Sequence, residues 1–291
     1  MTKAQKKGTP VQVLLTPNYI LTTGKILTFL SSFLASRFAA WLFLKPFRYK
    51  LPAREKEMDD LFDQESVMVP AINREIVIYK NTTAGTGKKI LLAHGWSGRG
   101  TQMPDIALRL IKEGYDVYSF DAPAHGKAPG KMSMMPYFID SIQLIDTKYG
   151  PFYGAVGHSL GGMSLLKAVK DGFSLQKLVI IGTANSVTHI TREFAQNMQL
   201  NLKVAKKMKS YFDAKFGEDM DNLSGAFSAL SVENPTLVVH DENDVDVHIS
   251  SAYEIKNNLK NGELFITKGL GHRKILGNNE VINKITTFFE A

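Results

Sequence analysis

The chain of 291 residues contains no cysteine, which excludes disulfide bonds and thiolate metal ligands. This absence fits a reducing compartment such as the cytoplasm, although export is neither shown nor excluded by it. The N-terminal apolar stretch over residues 26–36 ends at Arg37, whereas a membrane-crossing helix needs about 20 residues. No small-residue cleavage site marks a signal peptide. We therefore expect a cytoplasmic protein, and the N-terminal segment leaves association with a membrane open.

The composition fits one large domain that carries an insertion. With 44% hydrophobic residues the chain can bury a sizeable core, and 291 residues are many for one domain but few for two. The net charge of +7 could indicate a nucleic-acid partner. However, Lys and Arg are spread along the chain and no nucleic-acid motif accompanies them, so we expect no nucleic-acid binding.

From about Arg74 onward, short β-branched runs alternate with stretches of helical periodicity. This alternation is typical of parallel strands joined by crossover helices, so it predicts an α/β domain over residues 71–291 with a mostly parallel, doubly wound sheet. The predicted strands are 75–79, 89–93, 116–120, 152–156, 177–181, 236–239 and 263–267, and the predicted helices are 105–113, 137–148, 160–170, 250–258 and 279–289.

One stretch, residues 186–231, interrupts this alternation. Its Phe and Met residues recur at helical spacing without a convincing strand, and its length of about 45 residues far exceeds an ordinary connection. We interpret it as a helical cap insertion. Two roles stay open for its apolar side chains, which could line an acyl pocket beneath a lid or pack a small core of their own.

Residues 1–70 form an N-terminal extension of different character. Between residues 26 and 44 only Arg37 is charged, and a stripe of apolar residues at helical spacing predicts an amphipathic helix that ends before Pro46. Three interpretations stay open: packing against the domain or a partner subunit, peripheral membrane contact through residues 20–50, and a true span. The basic residues that flank the stripe are Lys3, Lys6, Lys7, Lys45, Arg48, Lys50, Arg54 and Lys56.

The segment Gly157-His158-Ser159-Leu160-Gly161 lies between a predicted strand and a predicted helix. A G-x-S-x-G pattern in this setting indicates a nucleophile elbow, because its glycines permit a sharp turn that lifts the serine out of the sheet. The pattern alone is weak evidence in a chain with 23 glycines. A serine hydroxyl also needs a base to become a nucleophile at neutral pH.

Candidate partners follow two later strands. Strand 236–239 opens into His240-Asp241-Glu242-Asn243-Asp244, and strand 263–267 opens into Lys268-Gly269-Leu270-Gly271-His272. The order of serine, acid and histidine is the one that this type of fold requires. Asp241, Glu242 and Asp246 are alternative acids in the same loop.

These motifs resemble those of the α/β-hydrolase superfamily, specifically its serine esterase and lipase-like members, over residues 74–291. The family's strand-end motif H-G-x-x-D-x-x-V-P nominates Asp244, although Asp241 replaces its glycine and His248 its proline. The G-x-G-H motif nominates His272. The resemblance implies a triad of Ser159, Asp244 and His272, in which the histidine is the base and the acid holds its tautomer.

The resemblance also implies where the oxyanion is bound. His94-Gly95-Trp96 follows a predicted strand and resembles the family's H-G-x loop, which makes the main-chain N–H groups of Trp96 and Leu160 the candidate donors. His94 and Gly95, with Gly157 and Gly161 of the elbow, would support this arrangement. No cofactor and no metal are implied.

The sequence therefore predicts a serine hydrolase that cleaves carboxylic esters or related acyl substrates through an acyl-enzyme intermediate, with lipid-like substrates among the options. An acyltransferase, a thioesterase and a peptidase remain alternatives, because the same triad serves all of them. A non-catalytic binding protein that retains the fold is the alternative from another class. The sequence does not settle the oligomeric state.

Overall fold

The computed structural model describes residues 16–82 and 85–291. The first 15 residues, which include Lys3, Lys6 and Lys7 of the basic flank, lie outside the described residues, as do residues 83 and 84. In the described part, eight strands form one sheet. They are β1 (Asp63–Val69), β2 (Arg74–Asn81), β3 (Lys89–Ala93), β4 (Asp116–Asp121), β5 (Gly154–His158), β6 (Lys177–Ile181), β7 (Thr236–Asp241) and β8 (Gly262–Thr267).

The strands are arranged in the order β1-β2-β4-β3-β5-β6-β7-β8. The pairs β1–β2 and β2–β4 are antiparallel, and all pairs from β4 to β8 are parallel. The carboxyl ends of β3, β5, β6, β7 and β8 therefore meet at one edge of the sheet, which is where ligands bind in open α/β folds. The predicted mostly parallel sheet is confirmed.

The sheet begins earlier than the sequence indicated, because β1 lies inside the segment predicted as a helical extension. This strand is an antiparallel edge strand whose residues are mostly exposed or half-buried. Edge strands of this kind carry little of the apolar pattern by which buried parallel strands are recognised. Its contribution to the sheet could not be read from periodicity alone.

Helices cover both faces of the sheet. Residues of α5, α6, α9 and α10 share one buried apolar cluster with the strands, and residues of α3, α4 and α12 share another. The helices are α1 (Asn18–Leu30), α2 (Ser32–Phe43), α3 (Lys56–Leu61), α4 (Pro104–Lys112), α5 (Met135–Tyr149), α6 (Leu160–Lys170), α7 (Val187–Asn197), α8 (Leu202–Phe216), α9 (Gly225–Ala229), α10 (Ser250–Asn258), α11 (Gly271–Lys274) and α12 (Asn279–Glu290).

The N-terminal segment forms two helices where the apolar stripe predicted one. The break falls at Ser31, whose backbone is extended with φ −164° and ψ 120°. Its side chain accepts hydrogen bonds from the main-chain N–H groups of Phe33 and Leu34 and so caps α2. A serine pair at residues 31 and 32 was the available signal for this cap, but the continuous apolar stripe concealed it.

A third apolar cluster joins the N-terminal helices to the segment between β6 and β7. Helices α7 and α8 occupy most of residues 186–231, and α2 packs along α8. The cluster includes Ala39 of α2, Phe194 of α7, Met208 of α8 and Met163 of α6. Two distant segments of the chain thus pack together above the carboxyl edge of the sheet. In residues 16–82 and 85–291, no helix combines the length and apolar character needed to cross a bilayer.

Phe289 of α12 should be a main anchor of the sheet's second face. Its side chain is fully buried and packs against the stacked rings of Tyr115 and Tyr153, at centroid distances of 6.2 and 6.3 Å. Phe289→Ala should lower the free energy of unfolding by about 3–5 kcal/mol, because it leaves a cavity in a close-packed core. Urea unfolding followed by circular dichroism measures this change. The half-buried neighbour Phe288 is the matched control, and an equal loss on Phe288→Ala would contradict the assignment.

Candidate active site

Ser159 stands at a tight turn between β5 and α6. Its backbone has φ 52° and ψ −115°, a left-handed conformation that non-glycine residues rarely adopt. A Cβ on Gly157 would lie 2.6 Å from Gly162 Cα, and a Cβ on Gly161 would overlap the carbonyl of Ala93. The two glycines are therefore required for the turn. The geometry agrees with a nucleophile elbow, a strained turn that exposes the serine side chain.

His272 and Asp244 form a hydrogen-bonded pair beside this turn. His272 Nδ1 lies 2.7 Å from Asp244 Oδ2, and both side chains are nearly buried. The other carboxylate oxygen, Asp244 Oδ1, accepts the main-chain N–H groups of Asp246 and Val247 at 2.8 Å each. Asp244 is thus fixed by the turn of its own loop, and it orients the His272 ring from the side opposite Nε2.

Asp241 supports the loop that carries His272, a role that the sequence did not reveal. Burial raises the pKa of this carboxyl, but its hydrogen bonds from the N–H groups of Gly271, Leu270 and Asn243 and from the Thr267 hydroxyl outweigh that effect, so the pKa is lowered. Leu270 N and Thr267 Oγ1 lie 3.0 and 2.8 Å from Asp241 Oδ2. The residue that departs from the family's glycine therefore ties the acid loop to the histidine loop.

Gly182, at the end of β6, is a second position that the sequence analysis missed. Its φ is +57°, and a Cβ there would lie 3.1 Å from His272 Nδ1 and 3.5 Å from Asp244 Oδ2. A side chain at this position would press on the pair, so the glycine leaves the room in which it forms. A glycine directly after a predicted parallel strand was the only sequence signal for this role.

Within the described part of the chain, Ser159 Oγ makes no hydrogen bond to the His272 ring, although both residues line one cavity. Ser159 N donates to Ile181 O at 2.8 Å, and His158 Nε2 lies 2.9 Å from His272 O. These bonds tie the elbow to β6 and to the His272 loop. Catalytic hydrogen bonds are often long without substrate and shorten when it binds.

The candidate oxyanion donors lie where β3 ends and where α6 begins. Leu160 is the first residue of α6, a position whose N–H has no acceptor within its own helix. Trp96 follows Gly95, whose Cβ would lie 3.1 Å from Ser159 Cβ, so the loop passes directly beside the serine. Apart from residues 1–15, 83 and 84, no acceptor in the chain takes either N–H. Both groups are therefore available to a ligand.

His94 and Gln102 hold the Trp96 loop in place. His94 Nδ1 donates to Gly95 O at 2.7 Å, and its Nε2 accepts Ala122 N at 3.1 Å, which fixes one neutral tautomer. Burial lowers the pKa of His94 to about 4. Gln102, which the sequence did not single out, accepts Gly95 N at 2.8 Å. The Trp96 ring packs against His125 and Phe43, at centroid distances of 5.2 and 6.4 Å.

Three further histidines near the site are buried. Burial lowers the pKa of His125, His158 and His240, so these rings are neutral at pH 7. In the parts of the chain that the structure describes, no group of three or more His, Asp or Glu side chains is placed to hold a metal ion. His240 Nε2 lies 2.9 Å from Val247 O and thereby supports the Asp244 loop.

A cavity of about 830 Å³ opens onto Ser159 and His272. Its wall is mostly apolar and comes from three parts of the chain: the N-terminal segment, the α7–α8 region and the loops at the strand ends. Among its lining side chains are Trp41, Phe43, Met163, Ile190, Phe194, Met198, Phe212 and Phe216. Phe43 contacts Phe194 and Phe212 at centroid distances of 5.0 and 5.5 Å. The N-terminal segment is therefore an integral wall of the cavity.

Comparison with known families agrees with this fold. The model of the family described as serine aminopeptidase, S33, matches residues 84–226, and the model described as TAP-like protein matches residues 221–291. Together the two α/β-hydrolase models extend over the whole sheet from β3 onward. The chain belongs to the α/β-hydrolase superfamily. No curated protein sequence matches it significantly.

Solved structures of the superfamily share the fold at low sequence identity. An esterase from Pyrococcus furiosus has a TM-score of 0.65 and 17% identity, with 85% of this chain and 97% of that chain covered. An esterase from Exiguobacterium antarcticum has a TM-score of 0.59 and 15% identity, with 77% and 98% covered. A bacterial membrane phospholipase A has a TM-score of 0.61 and 18% identity, with 81% and 88% covered. Family and fold together support a hydrolase.

The buried histidines should make the protein sensitive to mild acid. Because the pKa of His94 is about 4 in the folded chain and about 6.5 in the unfolded chain, only the unfolded chain binds this proton between those values. His94 therefore stabilises the fold fully above pH 6.5 and loses about 3 kcal/mol of that contribution as the pH falls to 4.

Urea unfolding at pH 7, 6, 5 and 4.5 should show a declining free energy of unfolding. His94→Gln removes the titrating group and should make the decline shallower than in the parent protein. If parent and variant lose stability equally over this range, His94 does not carry the predicted effect.

Proposed function

We propose that this protein is a serine hydrolase that cleaves carboxylic esters, with Ser159 as nucleophile, His272 as general base and Asp244 as its orienting acid. The observation that carries the proposal is the meeting of three strand ends at one cavity. The strained turn at Ser159 and the His272–Asp244 pair, joined at 2.7 Å, both open onto it. These elements belong to segments that are 85 and 28 residues apart in the sequence.

The proposed reaction follows from these positions. Ser159 Oγ attacks the ester carbonyl while His272 Nε2 takes its proton, and Asp244 stabilises the imidazolium at Nδ1. The N–H groups of Trp96 and Leu160 donate to the developing oxyanion, and each such donor is worth roughly 10²–10³ in rate. His272 then protonates the departing alkoxide. Water, activated by the same ring, hydrolyses the acyl-enzyme.

The lining of the cavity suits a substrate with an apolar acyl group. Aromatic and aliphatic side chains dominate its wall, and such a lining stabilises a hydrocarbon chain by removing it from water. Met163 and Met198 add flexible, polarizable side chains that adapt to different chain shapes. This character favours fatty acyl esters over short polar ones.

An aminopeptidase is the second candidate, and one observation favours it beyond the family description. Glu193 also lines the cavity, where its carboxylate would pair with the α-ammonium group of an aminoacyl substrate. In this structure Glu193 Oε1 instead lies 3.0 Å from His189 Nε2. Hydrolysis of p-nitrophenyl esters, acyl thioesters and aminoacyl p-nitroanilides, measured side by side, separates esterase, thioesterase and peptidase activity.

Substitutions in the proposed triad should abolish turnover without unfolding the protein. Ser159→Ala should lower kcat/KM on p-nitrophenyl butyrate by about 10⁴-fold or more, because the nucleophile is lost. Asp244→Asn should lower it by a similar factor, because the amide stabilises the wrong tautomer of His272. The esterase assay is paired with labelling by a serine-directed fluorophosphonate probe.

Glu242→Gln is the matched control, since this carboxylate of the same loop is half exposed and pairs with Lys268. It should retain the parent activity. Esterase activity and probe labelling that persist in folded Ser159→Ala would refute the proposed mechanism.

The apolar cavity should also determine acyl chain length. Ile190→Trp replaces a branched aliphatic side chain in the wall formed by α7 with a larger indole ring. It should lower kcat/KM for p-nitrophenyl laurate at least tenfold relative to p-nitrophenyl acetate, because a long chain needs the lost volume. Ile190→Val is the control and should leave the ratio within about threefold. An unchanged laurate-to-acetate ratio in the Trp variant would place the acyl chain elsewhere.

A further inference from the structure

The large apolar side chains that the protein exposes are concentrated in its N-terminal segment. Among the residues that the structure describes, nine of the 16 exposed large hydrophobic side chains lie between residues 19 and 49. The corner between α1 and α2 is the most exposed part: Phe29 is 91% exposed, Leu30 66% and Phe33 52%. Contiguous exposed apolar surface of this kind marks an interaction site and is unusual on a monomer's free surface.

Helix α2 buries small side chains and exposes large apolar ones, which is the reverse of a helix that only packs on a core. The residues that it buries are small, namely Ala35, Ser36, Ala39 and Ala40, while Phe33, Leu34 and Trp41 face outward. Helix α1 likewise buries only Gly24, which packs against Leu200. A helix selected for packing alone would place its large apolar side chains inward. The outward side chains therefore need another apolar environment.

The charge of the segment indicates which environment that is. Lys and Arg occur along the whole chain, but residues 1–54 contain nine of them and no Asp or Glu. The remaining 237 residues hold 26 basic and 28 acidic side chains, so the N-terminal segment alone makes the protein basic. Among the described residues, Lys25 and Lys50 are exposed and stand next in sequence to the exposed side chains Ile26 and Tyr49. Cations beside exposed aromatic and aliphatic groups suit anionic lipid headgroups.

The same surface is continuous with the candidate active site. Trp41, Phe47 and Tyr49 are each at least 40% exposed, and each also lines the cavity that holds Ser159. Lys45 Nζ lies 3.4 Å from the centroid of the Trp41 ring, which places a cation beside this apolar rim. A surface that covers these three side chains therefore also faces the entrance of the cavity.

We propose that residues 18–50 dock the protein onto an anionic lipid bilayer, with the α1–α2 corner in the interfacial region and the cavity opening toward the lipid. We call this area the docking surface; its core is Ile26, Phe29, Leu30, Phe33 and Leu34. Docking of this kind requires no catalysis. A further consequence, that the ester substrate reaches Ser159 directly from the bilayer, rests on the function proposed above.

Vesicle co-sedimentation tests the docking independently of catalysis when it is done in full-length Ser159→Ala. Binding should be strong on vesicles of phosphatidylcholine with roughly 30% phosphatidylglycerol and weaker on vesicles of phosphatidylcholine alone. Phe29→Ser/Phe33→Ser should weaken binding at least tenfold, because two exposed rings can no longer enter the interface. Lys25→Gln/Lys50→Gln should weaken binding to the anionic vesicles by about tenfold and reduce its dependence on salt.

Two matched controls test whether the loss of binding depends on where the substituted residues lie or only on the type of side chain removed. Met68→Ser/Leu230→Ser removes two apolar side chains of similar exposure, 51% and 55%, outside the docking surface. Lys112→Gln/Lys131→Gln removes two exposed cations elsewhere. Both control proteins should bind vesicles like the parent, and circular dichroism should show all variants folded.

Three outcomes would overturn the proposal. The first is equal sedimentation of the parent and Phe29→Ser/Phe33→Ser, and the second is equal binding to neutral and anionic vesicles. The third is a dimer in analytical ultracentrifugation that the same double substitution dissociates, without vesicle binding, because the docking surface would then belong to a second copy of the chain. If the parent protein, which retains Ser159, shows no esterase activity but binds vesicles, docking is supported and the proposed hydrolase function fails. The two proposals can therefore fail separately.

Discussion

The close approach of two loops around Ser159 is the constraint on which the candidate site depends. The turn after β5 must bring its backbone against the loop after β3, and no side chain fits between them at Gly95 or Gly161. The parallel register sets up this contact, because Ala93 pairs with Gly157 across β3 and β5. The positive φ of Ser159 is the strain that results. The serine, both candidate donor groups and the rim of the cavity take their positions from this contact.

Carboxylates with different tasks stabilise the other half of the site. Asp244 and Asp241 stand three residues apart, yet one binds the histidine side chain and the other binds the main chain of the histidine's loop. Asp121 likewise ties the loop after β3 to the loop after β4, because it accepts Gly100 N and Lys127 N, both at 2.6 Å. Main-chain N–H groups that a loop leaves without partners are costly when buried, so each loop is paired with an acid that accepts them.

The sheet and the order of the candidate triad could be predicted from the sequence, because buried parallel strands and strand-end motifs leave local patterns. The residues that support the candidate triad could not be predicted in this way. Gly182 and Asp241 act on residues that are 90 and 29 positions away, and no local pattern encodes such contacts. The apolar stripe of residues 26–44 predicted one helix, whereas Ser31 caps a second one. The stripe also left the environment of its side chains undetermined, since an apolar face can pack on the protein's own core or on a partner.

The wall that the N-terminal segment gives to the cavity has a consequence for how the enzyme's selectivity can vary. Ser159, Asp244 and His272 all lie after residue 150, while Trp41 and Phe43 belong to the first 50 residues. The candidate reactive groups and the N-terminal part of the cavity wall are therefore encoded by separate stretches of the chain. Substitutions early in the sequence can alter which molecules are admitted while the candidate reactive groups remain untouched, so the two properties can diverge independently during evolution or in the laboratory.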